Sequence, residues 1–320
     1  MTADSVAALC AALGGRELVK GHGTANDFLL VADPDGALDL APGMVAALCD
    51  RRTGIGADGL IRVVRTAALD GQGVPGAGGA AATDEAPQWF MDYRNADGSV
   101  AEMCGNGVRV FVHYLRVAGL VDLPDGATLA VGTRAGVREV TRRGELYAVG
   151  MGRWSLPGGA AATADGYDAV VAVAGLEGPR AGLSVDVGNP HTVVALPDED
   201  ELDAADLGRA PAVDPVPPHG TNVELVVPLG EEEVAGVLVG TVRMRVYERG
   251  VGETASCGTG CCAAALAVRA WGGAGAPDVW RVLVPGGELG VRVIGESVEL
   301  TGPAEFVATV RPGVVPGPQQ

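Results

Sequence analysis

Two cysteines stand at the start of two similar turns. The first turn is Cys104-Gly105-Asn106-Gly107, and the second is Cys257-Gly258-Thr259-Gly260. An apolar run typical of a helix follows each turn, so each thiol is expected beside unpaired N–H groups and the positive end of a helix dipole. That position lowers a thiol pKa from about 8.5 toward neutrality. The sequence therefore predicts two thiols that exchange protons near neutral pH.

The turns also suit a carboxylate ligand. Their glycines let a ligand approach the backbone closely, and N–H groups at a helix start bind anions. Two such turns facing each other would put one acid/base thiol on each side of a bound amino acid. One thiol would remove the α-proton and the other would deliver a proton to the opposite face, a stereoinversion that needs no cofactor. The alternative is a pair of buried structural cysteines, and the matched turns favour function over it.

The two turns belong to a wider internal repeat. Asn95 lies nine residues before Cys104, and Glu248 lies nine residues before Cys257. Each half of the chain thus runs strand, polar residue, Cys-Gly-polar-Gly, helix. A repeat of this kind predicts two similar domains with a cleft between them.

Few helices and many strands must position these turns. The helical period predicts a helix over 106–118 and a second over 258–271. Apolar, β-branched runs predict strands; the expected strands are 17–20, 27–32, 60–64, 88–93, 185–196, 222–227, 242–248 and 306–310. A short helix is expected at 44–49. The fold class is therefore mixed α/β and β-rich.

Composition narrows the function classes. The chain has 320 residues, of which 48% are hydrophobic and 20% charged, which excludes overall disorder. No apolar run approaches the roughly 20 residues of a membrane span, and residues 1–15 make a poor signal peptide, so a cytoplasmic protein is expected. The net charge of −17 argues against a nucleic-acid or anionic-membrane partner. Lys20 is the only lysine, so pyridoxal phosphate chemistry would depend on that one residue.

Two other sites are not expected. The cysteines form no Cys-x-x-Cys pair and show no usual zinc spacing, so no metal is predicted; they are Cys10, Cys49, Cys104, Cys257, Cys261 and Cys262. Gly54-Ile55-Gly56-Ala57-Asp58-Gly59 fits a dinucleotide fingerprint, but a strand rather than a helix is expected after it, so we reject NAD binding. Four of the cysteines are expected to pack as small hydrophobic residues, namely Cys10, Cys49, Cys261 and Cys262.

Seven blocks in order together resemble the diaminopimelate epimerase family. They are 20–28 (KGHGTANDF), 54–59 (GIGADG), 95–99 (NADGS), 103–107 (MCGNG), 188–191 (GNPH), 220–223 (GTNV) and 248–260 (ERGVGETASCGTG). The resemblance implies a PLP-independent isomerase that interconverts LL- and meso-2,6-diaminopimelate, for lysine and peptidoglycan precursors, in a cytoplasmic homodimer. It implies two pseudo-repeat domains, each a central helix wrapped by antiparallel-rich strands, with the active site in the cleft between them.

The resemblance also implies roles for residues. Cys104 and Cys257 are the acid/base thiols, and the backbones of Gly105, Asn106, Gly258 and Thr259 hold the reacting α-carboxylate. Arg249 suits the distal carboxylate and Glu248 the distal ammonium. Asn26, Asn95, Asn189 and Asn222 contact the substrate through their amides, and His191 is expected to brace its turn. Gly59 stands where some members of the family carry a glutamine that contacts the ligand, so no side-chain contact is expected there.

The expected domain limits follow from the repeat and the resemblance. The first domain covers 1–148, with an extension at 1–18 and an insertion at 67–87 that is expected to be a flexible loop. The second covers 149–302, and 303–320 forms a strand that returns to the first domain, followed by a tail.

Two alternatives stay open on the sequence. One is stereoinversion of proline or hydroxyproline by the related racemase family. That family typically has a histidine where Asn106 stands, and its compact substrate has no distal group for Glu248 and Arg249 to bind. The other is a non-enzymatic thiol-redox or zinc-binding protein. Metal analysis and an activity assay under reducing conditions separate these readings.

Overall fold

The structure is a computed structural model that describes residues 11–77, 87–311 and 313. The chain divides into two compact units. Unit 1 takes the chain up to Gly23, then Asp27–Tyr147 and the chain from Ala304; unit 2 takes Thr24–Asn26 and Ala148–Pro303. Residues 1–10, most of the expected N-terminal extension, lie outside the described residues.

Strands dominate both units. The strands are β1 (Leu18–Gly23), β2 (Asn26–Ala32), β3 (Gly59–Arg65), β4 (Trp89–Asn95), β5 (Thr128–Thr133), β6 (Gly136–Arg143), β7 (Leu146–Arg153), β8 (Ala169–Ala172), β9 (Arg180–Asp186), β10 (Pro190–Ala195), β11 (Ala212–Asp214), β12 (Asn222–Val234), β13 (Val237–Glu248), β14 (Gly252–Thr254), β15 (Val279–Val284), β16 (Gly287–Ile294), β17 (Ser297–Pro303) and β18 (Glu305–Val310). The helices are α1 (Pro42–Cys49), α2 (Gly105–Val117), α3 (Gly159–Asp165), α4 (Glu199–Ala204) and α5 (Gly258–Gly272), with short 3-10 helices at Thr66–Leu69 and Gly273–Gly275.

The strand pairing of the two units repeats. In unit 1, β2 is parallel to β3, β3 antiparallel to β4, β4 parallel to β5 and β5 antiparallel to β6. In unit 2, β10 is parallel to β12, β12 antiparallel to β13, β13 parallel to β15 and β15 antiparallel to β16. In each unit the long helix lies, along the chain, between the two strands of the second parallel pair. It is α2 between β4 and β5 in unit 1, and α5 between β13 and β15 in unit 2. This shared order confirms the pseudo-repeat predicted from the Cys-Gly-x-Gly turns.

Each long helix is the core of its unit. The helix α2 packs against β1, β3, β4 and β6, and α5 packs against strands on several sides, from β9 to β17. All residues of α5 from Gly260 to Val268 are buried, and so are those of α2 from Gly105 to Val112. Small side chains on α5, mostly alanine and cysteine, let the strands approach it closely. Both helices start where the sequence predicts.

The strand β18 belongs to unit 1. It pairs antiparallel with β1, with Leu18 opposite Val310 and His22 opposite Glu305. The Phe306 ring lies 4.5 Å from the ring of His113 on α2. The chain therefore passes from unit 1 through unit 2 and closes unit 1 at its end.

Two expectations differ from the structure. The predicted strand 185–196 is two strands, because Asp186 accepts a hydrogen bond from Gly188 N (2.8 Å) and closes a turn between β9 and β10. Residues 67–77 are not a flexible loop, since Leu69 and Ala77 pack into a buried cluster with Val64 and Phe90; residues 78–86 lie outside the described residues.

A left-handed turn joins β1 to β2. Thr24 and Ala25 have φ values of 56° and 63°, which cost about 1 kcal/mol each for residues other than glycine. Gly286 makes room for this turn in unit 2, because a Cβ there would lie 2.1 Å from Thr24 O. The turn delivers Asn26 to the start of β2.

Candidate active site

The Cys104 turn caps α2 in unit 1. Cys104 is the N-cap residue, with φ −137° and ψ 124°, and its Sγ accepts a hydrogen bond from Gly107 N at 3.4 Å. Its carbonyl accepts from Val108 N at 2.9 Å. The N–H groups before these, of Gly105 and Asn106, are those that the sequence assigns to the substrate carboxylate. Cys104 is half-buried.

The Cys257 turn repeats this geometry in unit 2. Cys257 is the N-cap of α5, and its Sγ accepts from Gly260 N at 3.4 Å. The Thr259 hydroxyl lies 3.5 Å from the same sulfur. Cys257 is only 6% exposed, so it is more enclosed than Cys104. Two helices, one in each unit, therefore present a thiol in the same N-cap position.

The expectation of a lowered thiol pKa is wrong for Cys257. Burial raises its pKa well above the ordinary value, and the negative charges of Glu248 and Glu224 raise it further. The hydrogen bonds from Thr259 and Gly260 act in the opposite direction but are weaker than these effects. Cys257 is therefore a protonated thiol at neutral pH.

Glu248 is the partner of that thiol. It ends β13, and its side chain contacts Cys257 and accepts a hydrogen bond from Thr254 Oγ1 at 2.5 Å. Burial raises the pKa of the Glu248 carboxyl, although the bonds from Thr254 and Cys257 lower it in part. The sequence assigns Glu248 to the distal ammonium of the substrate. The structure also brings its carboxyl group into contact with Cys257, where a carboxylate can accept the thiol proton.

Arg249 and Asn222 are joined at the ends of β13 and β12. The backbone N–H of Arg249 donates to Asn222 Oδ1 at 2.9 Å. The NH2 group of the Asn222 amide is therefore directed away from this backbone N–H. The Arg249 guanidinium is exposed and donates to the carbonyl of His219. Gly220 has a φ of +70°, and a Cβ there would lie 2.9 Å from Arg249 Cδ. Because Gly220 has no side chain, there is room for the Arg249 side chain beside it.

Asn189 precedes β10, the neighbour of β12. In the parallel register His191 lies opposite Asn222, so Asn189 lies near the same strand ends as Asn222. Asn189 Oδ1 lies 3.1 Å from His191 Nε2, and His191 Nδ1 lies 2.7 Å from Glu224 Oε1. His191 therefore braces this turn, as the sequence indicates. Glu224 was not identified from the sequence, although a glutamate within the apolar run of β12 is a signal that could have found it.

The other predicted ligands are divided between the units. Asn95 ends β4 in unit 1, and its Nδ2 donates to Ser99 Oγ at 2.9 Å. Asn106, also in unit 1, is 1% exposed at the start of α2. Asn26 is half-buried at the start of β2 and is grouped with unit 2.

The glycine-rich block 54–59 has a structural role. The strand β3 begins directly at Gly59, so the helix that a dinucleotide fingerprint requires does not follow. A Cβ at Gly59 would lie 2.4 Å from Arg94 O and 2.6 Å from the Tyr93 ring, so no side chain fits at this position. The carbonyl of Gly56 accepts a hydrogen bond from Lys20 Nζ at 2.6 Å, and the same ammonium lies 3.0 Å from Asp27. The only lysine thus braces this loop.

The remaining cysteines that the structure describes are buried packing residues. Cys49, Cys261 and Cys262 are buried, as the sequence predicts, and Cys10 lies outside the described residues. Burial raises the pKa of Cys49 to about 12, and Asp27 and Asp58 contribute. Among the residues that the structure describes, no three His, Cys, Asp or Glu side chains are grouped to hold a metal ion. Within the same residues, no helix is both long and apolar enough to cross a membrane.

Sequence comparisons agree on one family. The family model for diaminopimelate epimerase matches residues 18–156 and 183–307. The chain is 50% identical over 301 residues to the diaminopimelate epimerase of Streptomyces coelicolor, covering 91% of this chain and 93% of that protein. It is 49% identical over 294 residues to the diaminopimelate epimerase of Thermobifida fusca, covering 90% and 95%.

Solved structures share the fold at low identity. A PhzF-family phenazine biosynthesis protein of Bacillus anthracis has a TM-score of 0.58 and 13% identity, covering 92% of this chain and 98% of that one. A hydroxyproline epimerase of Agrobacterium vitis has a TM-score of 0.55 and 15% identity, covering 92% and 91%. These likenesses confirm the mixed, β-rich fold with two pseudo-repeat domains.

Proposed function

The chain belongs to the diaminopimelate epimerase family, and from this premise we propose that it interconverts LL- and meso-2,6-diaminopimelate with Cys104 and Cys257 as its two acid/base groups. The observation that carries the proposal is the matched N-cap geometry of the two thiols. In the proposal, one thiol removes the α-proton and the other returns a proton to the same carbon. The enzyme is an isomerase of lysine and peptidoglycan precursor biosynthesis.

The proton pathway at Cys257 starts from its pairing with Glu248. A carboxylate in contact with a buried thiol takes its proton when the substrate enters, so that sulfur becomes the base for one direction of turnover. In the reverse direction the same thiol donates its proton to the α-carbon. Cys104 performs the complementary transfer on the other face.

The carboxylate next to the α-carbon binds at the helix starts. The N–H groups of Gly105, Asn106, Gly258 and Thr259 lie in the first turns of α2 and α5, where the helix dipole favours a negative charge. The same donors stabilise the charge that develops on this carboxylate as the α-proton leaves. We assign the side chains of Asn26 and Asn95 to the substrate as well.

The distal end of the substrate binds in unit 2. Asn189, Asn222 and Arg249 come from the ends of neighbouring strands, and an arginine with two amides suits a carboxylate. Glu248 stays assigned to the distal ammonium, as the family resemblance implies, in addition to its contact with Cys257. A proline substrate would give these distal donors nothing to bind, which favours diaminopimelate over the racemase alternative.

The test is α-proton exchange of LL-diaminopimelate in deuterated water without added cofactor. We expect exchange and epimerisation by the wild-type protein. Replacing Cys104 or Cys257 by Ala should lower the rate by at least about 10²–10⁴-fold, the usual contribution of one general acid/base group. Serine replacements should be nearly as poor because an alkoxide forms far less readily than a thiolate. Near-normal epimerisation by either alanine variant would contradict the two-thiol mechanism.

Two further assignments belong to the proposal. We infer a cytoplasmic homodimer with no nucleic-acid or membrane partner, supported by the family resemblance and by the net charge of −17. Light scattering at several protein concentrations tests the dimer, and a monomer at all of them would contradict it.

A further inference from the structure

Glu224 is a buried carboxylate outside the residues to which the proposed function gives a role. It is 0% exposed in the middle of unit 2, on a strand whose other side chains there are apolar. One oxygen lies 2.7 Å from His191 Nδ1. The other oxygen, Oε2, has no hydrogen-bond partner among the described residues. Glu248 from β13 and Cys257 from α5 are the titratable groups that also act on this pair.

The contact between Glu224 and His191 is a buried hydrogen bond. Both side chains are at most 1% exposed, and a buried carboxylate needs a partner of this kind. Two bare acceptors 2.7 Å apart would repel each other, so one hydrogen lies between Glu224 Oε1 and His191 Nδ1.

The contact on the other side of the ring identifies Nε2 as a donor. The Asn189 amide oxygen lies 3.1 Å from Nε2, and an amide oxygen only accepts hydrogen bonds. Nε2 therefore carries a hydrogen and donates it to Asn189, while the hydrogen at Nδ1 is shared with Glu224.

We propose that the Glu224–His191 pair is a positioning device, which holds the Asn189 amide with its oxygen toward the ring and its NH2 group outward as a hydrogen-bond donor for a substrate carboxylate. The proposal rests on the proposed function for the identity of the ligand. An amide held the other way would present its oxygen to the carboxylate and repel it. Glu224 thus sets which end of Asn189 meets the substrate.

A spectroscopic test requires neither substrate nor variant activity. In the wild-type protein with ¹⁵N-labelled histidine, the Nε2 of His191 should give the signal of a protonated nitrogen at neutral pH. His191→Gln identifies the resonance among the four histidines of the chain. A bare Nε2 would overturn the proposal, whether or not the enzyme epimerises diaminopimelate.

Kinetics test the consequence for binding. Glu224→Met removes the proton partner, so KM for diaminopimelate should rise about 10–100-fold, the effect of losing a hydrogen bond to a charged group, with kcat changed only a few-fold. Glu224→Gln should restore KM to within a few-fold of wild type, because its NH2 group can donate to Nδ1 and keep the hydrogen on Nε2. Thr192→Val is the matched control, a buried polar neighbour on β10 whose hydroxyl bonds Thr221 at 3.1 Å; its KM should not change.

A double-mutant cycle separates positioning from general stability. If Glu224 acts through Asn189, Glu224→Met combined with Asn189→Ala should have the KM of Asn189→Ala alone. Additive increases in KM would overturn the proposal. So would a Glu224→Gln variant as damaged as Glu224→Met, because that result would require the negative charge itself.

Discussion

At the scale of single residues, the space for a side chain at the last glycine differs between the two Cys-Gly-x-Gly turns. A Cβ at Gly260 would lie 2.8 Å from Glu224 Oε1 and 3.2 Å from Cys257 Cβ. Glu224 is buried and bonded to His191, so it has no room to withdraw. At the equivalent Gly107, the nearest atoms would lie at 3.4 Å, an ordinary contact distance.

We therefore expect Gly260→Ala to lower epimerase activity at least about 10-fold. A displaced thiol needs to raise the activation free energy by only about 1.4 kcal/mol to have that effect. Gly107→Ala is the matched comparison and should lose clearly less. Steady-state rates and thermal melts of both variants provide the measurement. Equal losses in the two variants would mean that the contact with Glu224 does not matter.

The charge of Glu248 sets the second prediction at this scale. Burial is the main reason for the high pKa of Cys257, and the Glu248 carboxylate is the next. Removing a neighbouring negative charge stabilises the thiolate, so Glu248→Gln should lower this thiol pKa while epimerisation falls because the proton acceptor is lost.

The thiolate absorbs in the ultraviolet, so a pH titration corrected with the Cys257→Ala protein follows this group. Glu253→Gln is the control, because Glu253 forms an exposed ion pair with Arg245, with 2.7 Å between Nε and Oε1. An unchanged or higher thiol pKa in Glu248→Gln would contradict the assigned pairing.

At the scale of elements, one carboxylate holds three parts of unit 1 together. Asp92 on β4 is fully buried and pairs with Arg62 on β3 at 2.6 Å, with Arg94 at 3.1 Å, and with Arg134 in the β5–β6 turn at 2.5 Å. Burial raises its pKa, but the charges of Arg134, Arg62 and Arg94 outweigh burial, so the pKa is below the ordinary value of an aspartate. The ionised form therefore stabilises the fold.

Asp92→Asn should lower the free energy of unfolding at neutral pH by about 3–5 kcal/mol, the effect of breaking a buried ion pair. Because the folded pKa is depressed, the wild-type advantage is fully present above about pH 4 and is lost as the pH falls through the folded pKa. Urea unfolding across this range measures both effects. Asp203→Asn, in an exposed pair with Arg243, should change stability by less than about 1 kcal/mol. A similar loss in both variants would contradict the prediction.

At the scale of the whole molecule, the chain closes unit 1 with its last described strand. Ending the chain after Pro303 removes β18 and exposes the backbone groups of β1 that it pairs. Amide exchange in β1 should become at least about 10-fold faster, equivalent to about 1.4 kcal/mol, while exchange in β12 of unit 2 should change much less.

Val307→Thr provides the control, since this side chain is 59% exposed and the backbone pairing stays. Hydrogen exchange followed by mass spectrometry resolves the two strands. Equal acceleration in β1 and β12 would show that the units do not respond separately to the loss of β18.

The sequence by itself determined the features that depend on near neighbours. The positions of Cys104 and Cys257 at helix starts follow from a turn and an apolar period within about ten residues, and the structure places both as N-caps. The repeat of strand, turn and helix was also visible, because each copy is one continuous stretch of chain. Strand limits were less accurate where a short turn such as 187–189 interrupts an apolar run, since hydrophobicity alone does not mark it.

Only the tertiary structure decided the protonation chemistry of the site. The helix start alone predicts a lowered pKa for Cys257, whereas enclosure by the strands and the charges of Glu248 and Glu224 raise it. Glu224 and His191 are 33 residues apart and meet through the parallel pairing of β10 and β12. Burial and charge depend on which distant segments pack together, and no local pattern in the sequence carries that information.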